Sequence, residues 1–475
     1  MSATAPGPDQ PKLAEDTLAG ISRRLCAEVA AWRYDDLPDA VVRTVKLFLV
    51  DTFGVIGGAA AAPGIRELNG RLARWEQGGA ATGLIGKRRF SPPTAALANG
   101  AAAHALDFDD MHDPARVHAF CVALPTLLAT AEDVGAVSGA DFILGLAIAV
   151  ELHARLGLAC YNSLGKGWHP TMILGTPAAA LGAGRLLGLG AAAMLNAFGM
   201  ALHMSAGSAQ SMLDGVLSKR LGPGFAARSA VTAAFLALDG LTGPFQPLEG
   251  AAGLFRLHER GEVRPGEVLD GLGTGWRLLD YSIKPYPCCR CNHTTIGLAL
   301  RLHARGIRPD DVAAATIRLG RVNWQTVGQP YAAARDSVVH AQFNVCYSFA
   351  RALSDGRLDL ASYQRPQITD AAVARLAGRV RAVVDQQVPA TAMAPAHVAV
   401  TLTDGSVVAV AADTVKGSHA EPLTEAEIFD KFRRCLAFGL GTPAAAADRF
   451  ADTLLALETL PDMRLLAPAF PEPAA

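Results

Sequence analysis

The residues best suited to acid–base chemistry lie in one stretch, HALDFDDMHDPARVH, which runs from His104 to His118. Within an otherwise apolar, alanine-rich region it brings together these titratable side chains: His104, Asp107, Asp109, Asp110, His112, Asp113 and His118. Because both flanks are strongly hydrophobic, we expect buried helices on either side and charges that need partners or a ligand. A solvated loop is the simpler alternative. The density of titratable groups favours a functional site.

Three residues outside this stretch are further candidates. His169, in GKGWHPTMILGTP, precedes a proline suited to a first helical turn, where the helix dipole favours a neutral imidazole that accepts protons. A core or capping histidine is the alternative. Lys219 lies in the glycine-flanked segment LDGVLSKRLGPG, where a solvated lysine is the alternative. Lys284 opens KPYPCCRCNHTT, whose prolines and cysteines fix the backbone at a predicted domain junction, a common place for ligand clefts.

Metal and nucleotide motifs are weak or missing in the sequence. Cys288 and Cys291 form a C-x-x-C with His293 beyond it, but a structural zinc site needs a second ligand pair, and no thioredoxin-like pattern surrounds it. The aspartate-rich stretch lacks the calcium-loop spacing and an H-E-x-x-H helix. There is no P-loop, no G-x-G-x-x-G after a strand and no G-x-S-x-G. We therefore predict no cofactor and no metal, with a metal in the aspartate stretch as second choice.

Composition narrows the class of protein. The net charge of −1 over 475 residues gives no electrostatic footprint for nucleic acid or a membrane surface. Apolar runs such as Phe142 to Val150 are short and are followed by Glu151, so no bilayer span is expected. The polar N-terminus lacks a signal-peptide core, and the eight cysteines are interpreted as reduced thiols. These features predict a soluble cytoplasmic protein.

The periodicity of apolar residues predicts a mainly α fold, in which a large all-helical domain carries an inserted, smaller α+β lid domain. The helical domain comprises residues 1–282 and 419–475, and the lid comprises residues 283–418. In the lid we predict a strand at 315–322 and a hairpin about Asp404 and Gly405. Thr424 and Glu427 form a capping box that opens a C-terminal helix. The helices are predicted at 13–32, 38–56, 92–106, 122–134, 140–156, 170–187, 191–204, 223–238, 294–305, 424–438 and 443–457.

Several motifs, in the right order over most of the chain, resemble the MmgE/PrpD family. They are ANGAAAHALDFDD, GWHPT, the Lys219 segment followed by FAARSAVTAAFLALDGLTGP, the LEG at 248–250 and KPYPCCRCNH. That family includes 2-methylcitrate dehydratase, cis-aconitate decarboxylase and iminodisuccinate epimerase. The resemblance implies a helical domain made from both chain ends, an α+β lid, a homodimer and cofactor-independent chemistry on small polycarboxylates.

Carried over motif by motif, the resemblance implies a catalytic set of Asp107, His118, His169, Lys219 and Lys284. It also implies that Lys219 and Lys284 bind substrate. Two departures affect this set. Met111 stands where many members have a threonine, and His118 begins H-A-F where they have H-P-S, so a hydroxyl able to bind a carboxylate is missing. Since the alignment needs a one-residue shift here, His112 is a rival substrate-binding histidine.

The activities of the family share one chemical problem. Taking a proton beside a carboxylate, or losing CO₂ there, builds negative charge that Lys219 and Lys284 would stabilise. A histidine would move the proton, and Asp107 would orient an imidazole. We predict a hydro-lyase acting on a hydroxy-polycarboxylate, like 2-methylcitrate dehydratase. The alternatives are an epimerase of an imino- or amino-dicarboxylate, a decarboxylase of a cis-aconitate-like acid, a non-catalytic dimeric binding protein and a metal-dependent hydrolase.

Overall fold

The computed structural model describes residues 20–472 and is mainly helical, which confirms the predicted fold class. Residues 1–19 and 473–475, including the start of the first predicted helix, lie outside the described residues. Helices fill the chain as far as residue 269. Their bounds are Ile21–Ala31, Asp39–Gly58, Ile65–Trp75, Pro92–His104, Phe120–Val134, Gly139–Ala159, Pro170–Leu186, Ala191–His203, Gln210–Asp214, Ser218–Leu238, Leu254–Leu257 and Gly266–Leu269.

One helix boundary differs from its prediction in a way that matters for the site. The helix predicted to start at Pro223 starts at Ser218, with Pro223 inside it. A proline lacks the N–H that would bond four residues back, yet near a helix start this loss removes only one early bond. The earlier start puts Lys219 in the first helical turn, a position that fixes the direction of its side chain.

The C-terminal end of the chain returns to the helices of the first half through Glu425–Leu440, Ala444–Leu455 and Leu466–Ala469. Helix Glu425–Leu440 packs closely on Asp39–Gly58 because glycines face it. A Cβ on Gly439 would lie 2.1 Å from the backbone oxygen of Gly57, so this approach requires glycine. Apolar residues of both chain ends thereby share one core, here called the helical core.

A second core is built almost entirely from residues 288–410 and belongs to the predicted lid. It packs helices against a four-stranded sheet whose strands, in spatial order, are Val380–Val384, Val312–Leu319, Ala396–Leu402 and Val407–Ala412. The first pair is parallel and the others are antiparallel. The helices of this region are His293–Ala304, Arg321–Val327, Val338–Gln342, Val345–Asp355 and Ala371–Ala377. The boundaries at 283 and 418 stay a prediction.

The strands test two predictions. The hairpin is confirmed, since Thr401 lies opposite Val407 and Gly405 takes a left-handed φ of +87° in the turn. The strand predicted at 315–322 instead spans Val312–Leu319, because a helix begins at Arg321. Two small ribbons were not predicted: Ala81–Gly83 pairs with Arg88–Phe90, and Met111–His112 pairs with Tyr281–Ser282.

Two described helices, Gly139–Ala159 and Ser218–Leu238, are long and apolar enough to cross a membrane, and the bent pair Asp39–Ala61 and Ile65–Trp75 passes the same test together. On length, the expectation that no apolar segment could span a bilayer is therefore wrong. The apolar window of Gly139–Ala159 is 94% buried inside the protein. Core packing accounts for its composition.

Candidate active site

The loop between helices Pro92–His104 and Phe120–Val134, here called the acid loop (residues 105–119), lies where the helical core meets the lid. Two glycines bring it near Lys219. A Cβ on Gly100 would lie 2.8 Å from the Cα of Gly224, so helix Pro92–His104 and helix Ser218–Leu238 touch backbone to backbone. This contact places the start of the acid loop beside the first turn that carries Lys219.

Asp107 is clamped between the two predicted lysines. Its carboxylate accepts a hydrogen bond from Lys219 Nζ and another from Lys284 Nζ, the latter at 2.7 Å. Lys284 Nζ also donates to the Asp107 carbonyl at 2.9 Å. Burial alone would raise the pKa of Asp107, but the two ammonium groups outweigh it and hold that pKa well below its usual value. Asp107 is therefore an anion that anchors two cations.

Asp109, two residues on, holds two imidazoles. Its Oδ2 lies 2.7 Å from His104 Nδ1 and 3.4 Å from His118 Nδ1, and His118 Nδ1 is also 2.6 Å from the Asp110 carbonyl. Since these oxygens only accept, both Nδ1 atoms carry the proton, which leaves Nε2 as the basic nitrogen of each neutral ring. Burial keeps the pKa of His118 well below its usual value despite the nearby Asp109. His118 is thus a neutral, oriented base.

Asp110 has a structural task. Its two oxygens accept the backbone N–H groups of Ala119 and Phe120 at 2.8 and 3.1 Å, at the start of helix Phe120–Val134. Burial and the neighbouring Asp109 raise the pKa of Asp110 well above its usual value. The contact fixes the end of the acid loop to the helix that follows it.

His169 precedes helix Pro170–Leu186 and is buried, and neither of its ring nitrogens has a hydrogen-bond partner among the described residues. Burial, followed by the effects of His104 and Lys219, lowers the pKa of His169 to about 3. The neutral imidazole expected from the helix dipole is present, although burial is its main cause. Buried imidazole nitrogens without a protein partner can hydrogen-bond a ligand or a water molecule.

These groups surround one small cavity of about 50 Å³ at the junction of the helical core and the lid. Four predicted catalytic residues line it, namely Asp107, His118, His169 and Lys219. The rest of the lining comprises Met111, Arg116, Leu164, Pro170, Thr171, Met212, Cys289, Arg290, Cys291, Thr326 and Phe343. The structure therefore brings most of the predicted set to one place.

Two predicted site residues are not in the lining. Lys284 is fully buried and lies against Asp107, so it meets the cavity only through that carboxylate. His112 lies in the ribbon with Tyr281, 5.0 Å between ring centroids, and its Nδ1 accepts the N–H of Ala115 at 3.1 Å. Burial lowers the pKa of His112 to about 4. Of the two rival histidines, His118 is the one that faces the cavity.

Sequence reasoning missed several features of the site. It gave the task of orienting an imidazole to Asp107, whereas Asp109 makes that contact and Asp107 binds lysines. No motif marked Arg116. The cysteines of KPYPCCRCNHTT were predicted to help fix the backbone at the domain junction. Cys289 and Cys291 also line the cavity, and all eight cysteines are free and buried.

One group of side chains has donors suited to a metal ion. Ligand atoms of His104, Asp109 and Cys121 lie within 4.8 Å of one another, and all three residues are buried. The mixture of nitrogen, oxygen and sulfur ligands is of the kind that zinc accepts. The 2.7 Å hydrogen bond between His104 and Asp109 also explains their closeness without an ion. The absence of a metal stays a prediction.

Fold and site together define a class: a protein with a helical core and a lid, whose junction holds lysines, carboxylates and neutral imidazoles suited to proton transfer on a small anion. The chain belongs to the MmgE/PrpD family. The N-terminal domain of that family matches residues 23–265 and the C-terminal domain matches residues 286–457. This confirms the family expected from the motifs.

Three proteins similar to this chain are named cis-aconitate decarboxylase. The cis-aconitate decarboxylase of Aspergillus terreus is 27% identical over 477 residues, which cover 94% of each chain. The cis-aconitate decarboxylase of Homo sapiens is 27% identical over 435 residues, or 88% of each chain. The mouse protein of that name is 26% identical over 435 residues, 88% of this chain and 86% of its own. The protein is an MmgE/PrpD family enzyme.

Proposed function

We propose that this protein is a lyase acting on a small polycarboxylate, and that its reaction is decarboxylation of a cis-aconitate-like acid. The observation that carries the proposal is the convergence of Lys219, Asp107, His118 and His169 on one cavity. The names of the similar proteins add to it. Decarboxylation thereby moves ahead of dehydration, which was the first prediction from sequence.

In such a decarboxylation an acid adds a proton to one alkene carbon while the electrons of the C–CO₂⁻ bond form the new double bond. CO₂ leaves, and one proton is consumed. His118 and His169 are the candidates for the proton donor. Both are neutral in the free site, and the negative charge of a bound polycarboxylate would raise their pKa values towards protonation. Asp109 would then stabilise the His118 imidazolium.

The two lysines take different roles in this proposal. Lys219 bonds to a single oxygen, that of Asp107, among the described residues, and its ammonium lies 4.8 Å from the centre of the Phe343 ring. It keeps N–H donors for a substrate carboxylate. Lys284 uses two donors on Asp107 and lies behind it. Lys219 is therefore the substrate-binding lysine, and Lys284 positions Asp107.

A hydro-lyase is the second candidate, because the two unpaired nitrogens of His169 could protonate a departing hydroxide. The test is incubation with cis-aconitate and, separately, with citrate-type hydroxy acids, with and without EDTA, followed by proton NMR in D₂O. Decarboxylation gives CO₂ and a product carrying one new deuterium. Water loss from a hydroxy acid would support the second candidate, and inversion without a new double bond would indicate an epimerase. Turnover of none of them would overturn the proposal.

We also propose that two copies of this chain form a homodimer. Large exposed apolar side chains concentrate on and around helix Ser218–Leu238, whose apolar window is only 56% buried inside the chain. They are Leu213, Val216, Leu217, Phe225, Leu238, Leu241 and Phe245. Exposed apolar surface of this kind marks interaction sites. Sedimentation should give a dimer that Phe225→Glu weakens; a monomeric wild type would contradict this.

A cytoplasmic location stays a prediction that the free cysteines support.

A further inference from the structure

We propose that Arg116 is a substrate-binding residue that binds a second carboxylate, distinct from the one held by Lys219. The inference rests on the proposed function and deepens it, since it makes acids with an additional carboxylate the preferred substrates. Arg116 lies in the cavity lining, and no sequence motif singled it out.

The guanidinium of Arg116 forms no ion pair with a carboxylate of the described residues. Its side chain is 7% exposed, and Nη2 donates to Asn323 Oδ1 at 3.2 Å and to the Thr391 carbonyl at 2.8 Å, both neutral groups. No carboxylate among the described residues comes within 4.0 Å of it. Arg155 and Arg290, which are also buried, differ because they pair with Glu151 and Asp113. A buried, unpaired guanidinium is costly, and an anionic ligand would relieve that cost.

Other buried cations do not meet the same conditions. Arg220 also lacks an ion pair, but it donates to the Pro63 carbonyl and to Gln342, and it lies outside the lining. Arg116 differs because it lines the cavity and its guanidinium has N–H donors without a partner. Nε has no partner among the described residues, and Nη1 has only the Cys291 sulfur at 3.9 Å. Guanidinium N–H groups in this state suit a carboxylate.

The backbone around Arg116 indicates that its position is enforced. Its φ of +56° is left-handed, a conformation that a long side chain seldom adopts, and its N–H donates to the His112 carbonyl at 2.7 Å. Such residues cluster at ligand sites, where surrounding contacts hold them. Here Asn323 and Thr391, both residues of the lid, hold the guanidinium in place.

The neighbouring thiol responds to the same charge. A hydrogen bond from Cys289, and then the charge of Arg116, lower the pKa of Cys291 to about 7 against the effect of burial, while Asp113 opposes them. The effect on Cys291, which lines the cavity, is that of a cation able to stabilise a negative charge there.

The test measures binding, so that it does not depend on turnover. Tricarballylate and the monocarboxylate pentanoate are titrated calorimetrically into wild-type protein and into Arg116→Gln and Arg116→Lys. We expect the wild type to bind tricarballylate about 10-fold or more tightly than pentanoate, whose single carboxylate binds Lys219. Arg116→Gln should weaken the binding of tricarballylate by about 100-fold and that of pentanoate by less than about 3-fold. Arg116→Lys should fall between, at about 10-fold for tricarballylate. Arg379→Met, which removes a lid arginine that bonds the Val312 carbonyl, should change neither.

Each outcome separates the inference from the proposed function. Equal weakening of both acids in Arg116→Gln, or no change in either, would overturn the role of Arg116 while a catalytically active wild type keeps the proposed function. A wild type that binds neither acid would overturn both. If thermal melting shows that Arg116→Gln does not fold, Arg116→Lys decides: a loss confined to tricarballylate supports the inference, and anything else contradicts it.

Discussion

Two aspartates only two residues apart do different work in the acid loop. Asp107 has a left-handed φ of +53°, and its carboxylate points to Lys219 and Lys284, whereas Asp109 points to His104 and His118. The sequence could predict that this dense set of charges needs partners, because burying an unpaired charge is costly. It could not assign the partners, since side-chain direction in a loop depends on backbone angles that no periodicity reveals.

The different positions of the two lysines lead to different kinetic effects. Lys219→Met should lower kcat/KM by about 10²- to 10⁴-fold and raise KM, because it removes a cation that faces the substrate. Lys284→Met should lower kcat with little change in KM, because Lys284 acts through Asp107. Steady-state kinetics checks both, with the peripheral Lys87→Met as control. A raised KM with normal kcat in Lys284→Met would restore its sequence-based role as a substrate-binding residue.

The two rival histidines can be separated in the same assay. His118→Asn should lose about 10²- to 10⁴-fold in kcat, because its Nε2 is the oriented basic nitrogen at the cavity. His112→Asn should stay within about 3-fold of wild type, since an asparagine oxygen can still accept the Ala115 N–H and the residue lies outside the lining. Circular dichroism confirms folding of each variant. The reverse pattern of losses would place His112 in the site.

The buried neutral His169 should also make stability depend on pH. Burial lowers its pKa from 6.5 to about 3, so between these values the unfolded chain binds a proton that the folded chain does not. The contribution of His169 to the free energy of unfolding is therefore at its full value above about pH 6.5. It falls as the pH drops towards 3, by up to about 1.4 kcal/mol per pH unit. Urea unfolding of wild type and His169→Asn between pH 7 and 4 should show a shallower decline for the variant. Parallel curves would contradict this.

At the scale of elements, most helices could be predicted because their apolar residues recur at helical spacing, and the hairpin because Asp404 and Gly405 mark its turn. Contacts between segments that are far apart in the chain could not be predicted, because no pattern in the local sequence marks them. Met111 pairs with Ser282, and the chain between them contains most of the helical core. The start of helix Ser218–Leu238 was missed because Pro223 resembles a first-turn proline.

One contact between elements holds the acid loop from the opposite end of the chain. Lys431, on helix Glu425–Leu440, donates to the Phe108 carbonyl at 2.7 Å and pairs with Asp51 at 2.6 Å. In the sequence, Phe108 lies between Asp107 and Asp109. Both charged partners are buried, so the pair forms a fixed support under the loop and not a surface ion pair.

Variants of Lys431 and Asp51 should change the free energy of unfolding and kcat by different amounts. Lys431→Met should destabilise the fold by about 3 to 5 kcal/mol, because it leaves Asp51 buried without a partner, and should lower kcat. Adding Asp51→Leu should recover much of the stability but little of the kcat, since Phe108 O still lacks its donor. Chemical denaturation and steady-state kinetics measure the two effects. Full recovery of kcat in the double variant would show that Lys431 does not position the loop.

At the scale of the whole molecule, the site exists only where two cores meet. The helical core supplies Asp107, His118, His169 and Lys219, and the lid supplies Cys289, Cys291, Thr326 and Phe343. The cavity of about 50 Å³ is far below the roughly 300 to 1,000 Å³ of typical ligand pockets. Binding of a polycarboxylate therefore requires the junction to open or expand.

The Asp113–Arg290 pair is the clearest contact to weaken in order to test this opening. Arg290 Nε and Nη2 each donate to Asp113 at 3.0 Å, which joins the acid loop to the lid. Asp113→Asn removes the charge but keeps an acceptor, so it should loosen the junction without leaving Arg290 wholly unbonded. We expect faster amide exchange in residues 105–119 and 285–295, a KM raised by about 3- to 30-fold and a smaller change in kcat. Asp462→Asn, which weakens an exposed pair with Arg464, should change none of these. Tricarballylate should slow exchange across the junction in the wild type; exchange that responds neither to the ligand nor to Asp113→Asn would mean that the lid does not move when substrate enters.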